Sequence, residues 1–98
     1  MNKELILTYI YGSDYRFKGL PCDSKGNYLF DGNLMTAAMN KMVERGEWAE
    51  FYAYISFPYL RKFEDESKNI HWLFQPARFF DLMSEALEKG ILQLTEKT

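Results

Sequence analysis

One cysteine, Cys22, and one histidine, His71, are the residues best suited to nucleophilic chemistry in this chain. Paired, they would supply a thiolate and its base. Cys22 sits in "LPCDSKG", beside Asp23. An adjacent carboxylate repels a thiolate, and no helix start follows directly to favour one. Nothing in the spacing brings the two residues together. A lone cysteine also rules out an internal disulfide and a cysteine-built zinc site, and a lone histidine removes the histidine-cluster metal sites. The acidic run "EDE" at 64–66 lacks the Asp/Asn/Gly spacing of a calcium loop and reads as a solvated turn. "YGSDYRFKG" (11–19) carries two glycines without the Walker or dinucleotide spacing. Ser13 and Ser24 have no acid–base partner in view. These residues predict no enzyme, no cofactor and no metal.

Recognition chemistry is better represented. "EFYAYISF" (50–57) alternates, with Phe51, Ala53, Ile55 and Phe57 on one face of a strand and Tyr52 and Tyr54 on the other. Phenol rings on an open sheet face suit a protein contact, since tyrosine offers a large apolar area with a polar tip. With Arg16 and Lys18 nearby on phosphates, the same rings would suit single-stranded nucleic acid, where each stacked base contributes about 1–3 kcal/mol. Structural cross-strand pairing of the tyrosines is the plainer reading. "PYLRKF" (58–63) adds a second candidate contact, with Tyr59, Leu60 and Phe63 around Arg61, residue types found at binding hot spots.

The elements that must position these residues follow from periodicity. "ELILTYIYG" (4–12) is apolar on both strand faces and predicts a central strand. The segments 14–20 and 27–30 read as arms of a hairpin closed at Asp23–Gly26. A helix is predicted over 31–46, with Asp31 or Asn33 as cap, Met35, Ala38, Met39, Met42 and Val43 on its apolar face and Gly46 as its stop. The strand over 50–57 follows, then a connector over 58–69 and a short strand at 70–74. The second helix, 75–90, starts at Pro76 and packs through Phe79, Phe80, Met83, Ala86 and Leu87, with Arg78, Asp81, Glu85 and Glu88 outward. "ILQL" (91–94) reads as a last strand, and "TEKT" after it as frayed.

With the hairpin counted as an insertion, the order is βαββαβ. The expectation is a single α+β domain over 1–98: a mainly antiparallel sheet in ferredoxin-like order, two helices on one face, and a β-hairpin inserted before the first helix. Likeness to the RNA-recognition motif ends at element order, because the third strand would be "NIHWLF", without that family's alternating glycine and aromatics.

Ninety-eight residues with 47% hydrophobic and 17% aromatic content suffice for one core. A net charge of −2 argues against a dedicated duplex-DNA binder and against a strongly acidic DNA mimic. No signal peptide and no bilayer-length apolar run is present, so a cytoplasmic protein without a membrane partner is expected. The expected function is non-catalytic protein binding, as regulator or inhibitor of a larger partner or by homodimer formation, through Tyr52, Tyr54, Tyr59 and Arg61. Single-stranded nucleic-acid binding through Tyr52, Tyr54, Arg16 and Lys18 is the alternative.

Overall fold

A computed structural model describes residues 1–59 and 75–94. Among them are four α-helices: α1 (Lys3–Tyr11), α2 (Gly32–Glu44), α3 (Trp48–Tyr59) and α4 (Pro76–Glu88), with a 3-10 turn at Tyr15–Phe17. No sheet forms among the described residues, and the only strand-like pairing is one antiparallel bridge between Cys22 and Tyr28. The expected α+β fold with its antiparallel sheet is therefore overturned, and the molecule is mostly helical. The expected strand at 70–74 lies outside the described residues.

Local capping decides α1. Asn2 Oδ1 accepts the amide of Leu5 at 3.2 Å, the N-cap arrangement. Gly12 ends the helix at φ 96°, with its N–H on the Thr8 carbonyl at 2.8 Å. A segment apolar all round is equally a buried helix, and a helix satisfies its own amides where a central strand needs a neighbour on each side. Ile6, Leu7, Tyr9 and Ile10 are buried.

The second misread strand is α3. Its alternation depends on counting Tyr52 and Tyr54 as polar. Tyrosine is amphipathic, and counted as apolar the segment loses its period of two. Phe51 and Ile55 are fully buried one helical turn apart, whereas Ala53, which a strand would place beside them, is exposed.

The expected β-hairpin is overturned except for its turn and one bridge between Cys22 and Tyr28. Its turn forms as expected: Asp23 Oδ1 accepts the amides of Lys25 at 2.9 Å and Asn27 at 3.0 Å, and Gly26 takes φ 81°. Neither arm is a strand: in the first, Tyr15 turns inward within the 3-10 turn and Phe17 stands in solvent, and the second pairs only at Tyr28. "ILQL" is not a strand either. The amides of Ile91 and Leu92 both bond the Ala86 carbonyl, so this segment completes the end of α4.

Both expected helices are present. Asp31 caps α2 through Leu34 N at 3.0 Å, and Leu34, Ala38 and Met42 form its buried stripe. Met35 and Met39 are half-buried, but Val43, expected on the apolar face, is 62% exposed. In α4 the five expected core residues are buried, and Leu82 and Ser84 join them. α4 and α2 pack on each other, and each also meets α1 and α3, whose backbones do not approach one another closely among the described residues. The amide of Asn2 donates to Ser84 Oγ at 2.7 Å and pins the start of α1 to α4.

Position 53 separates helix from strand. Ala53→Glu should change stability by less than about 0.5 kcal/mol, as at an open surface. Ile55→Ala should cost about 2–5 kcal/mol as a core truncation. Urea unfolding of the two variants checks both, and a severe loss at position 53 would mean that the residue faces the core.

Candidate functional site

The residues expected to share a sheet face do not share one. Tyr52 and Tyr54 lie two positions apart on α3, some 200° around its axis. Tyr52 is half-buried with its ring 5.8 Å from that of Trp48. Tyr54 is half-buried beside α4, with Lys89 Nζ 5.6 Å from its ring centre. Burial, above all, raises the Tyr54 hydroxyl pKa. The Glu85 carboxylate beside it is lowered, first by its hydrogen bond from Lys89 and then by Tyr54. Arg16 and Lys18 belong to the turn on α1, whose backbone does not approach that of α3 closely among the described residues. Each has a carboxylate partner, Arg16 with Glu4 at 3.2 Å and Lys18 with Asp14 at 4.0 Å. The four residues of the nucleic-acid reading are thus not brought together. Tyr59 ends α3, while Arg61, Leu60, Phe63, the acidic run at 64–66 and His71 lie outside the described residues. Cys22 is exposed.

What the fold does assemble is a buried polar cluster that sequence reasoning missed. The chain leaves α2 through a Schellman turn: Glu47 N–H bonds the Met42 carbonyl at 2.8 Å, Gly46 N–H bonds that of Val43 at 3.1 Å, and Gly46 has φ 70°. That geometry drives the residue after the glycine inward. Here it is Glu47, only 2% exposed. Its Oε1 accepts the Tyr9 hydroxyl at 3.0 Å and its Oε2 the amide of Gln93 at 3.0 Å. Arg45 Nε stands 3.4 Å from Oε1, and the guanidinium lies 4.5 Å over the Tyr9 ring. Burial, then the hydrogen bond and charge of Glu47, drive the Tyr9 phenol pKa strongly upward, against the opposing pull of Arg45. The readable signal was "RGEW", a carboxylate at a position where this turn usually brings in an apolar contact.

The second assembled feature is an apolar cleft of about 220 Å³. The Asp23 turn folds the chain back so that Leu29 N bonds the Pro21 carbonyl at 3.2 Å. Phe30 then anchors the segment edge-on against Phe80 of α4 at 5.1 Å, and Tyr15 meets Tyr28 edge-on at 5.7 Å. Between this strap and the helices lie Leu7 and Tyr11 of α1, Leu34 of α2, and Leu20 and Tyr28 of the strap; Asp31 also lines the cleft. Among the described residues, no group of three or more acidic, histidine or cysteine side chains is placed to hold a metal ion, and no helix is long and apolar enough to cross a membrane. Comparison with protein-family models, curated proteins and solved structures finds no match to this chain.

Two variants probe the cluster. Glu47→Ala strands the Tyr9 hydroxyl, the Gln93 amide and the Arg45 cation, and should cost about 3–5 kcal/mol at neutral pH. Tyr9→Phe should change the response to alkali. A phenol ordinarily ionises near pH 10, and folding holds Tyr9 above that. Its contribution is complete below the unfolded value and is lost as pH rises from there toward the folded one. Urea midpoints should therefore fall less steeply above about pH 10 in Tyr9→Phe than in the parent.

Proposed function

We propose that the chain is a non-catalytic protein-binding module whose contact site is the cleft between α1 and the 20–30 strap. The observation that carries this reading is the cleft itself. Its volume of about 220 Å³ falls below the roughly 300–1,000 Å³ of small-molecule and cofactor pockets. It suits one large apolar side chain, whose burial contributes about 1.5–3 kcal/mol. Such a side chain seated in a formed pocket is how protein interfaces concentrate their energy. The carboxylate of Asp31 fixes the charge of the flanking residues. One of its oxygens holds the Leu34 amide, and its remaining lone pairs favour a cation beside the anchor. The partner segment is therefore an aromatic or leucine residue flanked by lysine or arginine.

Amide spectra of the labelled protein test this against two short peptides, one with phenylalanine between basic residues and one with serine in its place. The phenylalanine peptide should shift Leu7, Tyr11 and Leu34, and the serine peptide should not. Equal response to both peptides, or to neither, refutes the reading. Binding of a single-stranded oligonucleotide that weakens steeply with salt would replace it with the nucleic-acid alternative.

A further inference from the structure

We propose that the occupant of this cleft is Phe17 of a second copy of the chain, the two copies forming an isologous pair. The inference rests on the reading of the cleft as a protein-docking site and names its partner. Phe17 is 90% exposed, the most exposed of the large apolar side chains described. The 3-10 turn holds it outward while its neighbour Tyr15 is buried and braced on Tyr28, a wall residue of the cleft. The projecting ring is thus presented by an ordered turn, so little freedom is lost when it is seated.

Its surroundings match what the cleft requires. Phe17 lies between Arg16 and Lys18, and the cleft carries Asp31. The carboxylate partners of those cations, Glu4 and Asp14, are exposed and exchange readily with other carboxylates, while Arg16 Nε also donates to the Tyr15 hydroxyl at 3.4 Å, which holds it beside the knob. Knob and cleft also lie close together. Phe17 precedes Leu20 by three residues, and three residues span at most about 11 Å. Adjacent complementary features permit a two-fold pair, in which each copy gives its knob and receives the other's. Leu29, 39% exposed and lining the cleft, extends the apolar contact. Two aromatic anchors with modest flanking area place the pair at the weak, reversible end of specific interfaces.

Sedimentation equilibrium of the full chain up to roughly 100 µM, a range suited to weak interfaces, is the test. The parent should move from monomer toward dimer as concentration rises. Phe17→Ser should weaken association by at least about tenfold, the effect of losing an anchor. Leu29→Arg, at an exposed position, should do the same from the cleft side. Mixing these two variants restores one of the two contacts and should yield more dimer than either alone. A parent that stays monomeric, a dimer indifferent to Phe17→Ser, or no gain on mixing overturns the second-copy assignment. If the phenylalanine peptide still shifts the cleft amides, protein docking stands without self-association; if it does not, both fall.

Discussion

A carboxylate with almost no access to water is the constraint on which this fold turns. Burying an ion costs several kcal/mol, and only well-placed donors offset it. Glu47 draws its donors from parts of the chain far apart in sequence: the Tyr9 hydroxyl on α1 and the Gln93 amide beyond α4, with the Arg45 cation at the end of α2 alongside. Its own carbonyl accepts the Phe51 amide at 3.1 Å and so opens α3. One residue therefore ties together the entry, the middle and the exit of the bundle. A packing in which any one of these elements rotates or slips leaves a buried charge short of a donor. The cluster thus selects one arrangement among those that apolar burial alone would tolerate.

That selection matters because the apolar surfaces here are permissive. Met35, Met39, Met42 and Met83 lie on the α2 and α4 surfaces and tolerate repacking. The aromatic contacts Phe51 to Phe79 and Phe79 to Phe80, both at 5.5 Å, supply burial and edge-on geometry but no polar register. Register comes from the few directed bonds: Glu47 to its donors, and Ser84 to the Asn2 amide.

The legible parts of the sequence were those with punctuation. α2 has Asp31 before it and Gly46 after it, and α4 has Pro76 and Gly90; each also shows a clear helical stripe. The Asp23 turn was legible for the same reason. α1 and α3 were misread because their residues are apolar nearly all round, so period carries little information. Tyrosine made matters worse, standing in for a polar residue in the 50–57 alternation while Tyr9 proved to be core. Asn2 was the overlooked cap. The candidate site was not legible at all. Its walls come from α1, α2 and the strap, and no spacing in one segment announces a surface made by three.

The buried cluster and the cleft are two consequences of one helix rotation. On α1, Tyr9 points to Glu47 while Leu7 and Tyr11, one turn apart, line the cleft. Successive residues on a helix differ by about 100°, so a shift of one residue would take Tyr9 off the carboxylate and both wall residues out of the cleft. The Asn2 cap and its bond to Ser84 fix where the helix begins, and the Tyr9 bond fixes how it is turned. The ionic cluster thus holds the shape of an apolar surface that none of its own residues line. The two tasks separate cleanly on α1, because a helix presents different faces to core and cleft; in a strand, residues 7, 9 and 11 would all have faced the same way.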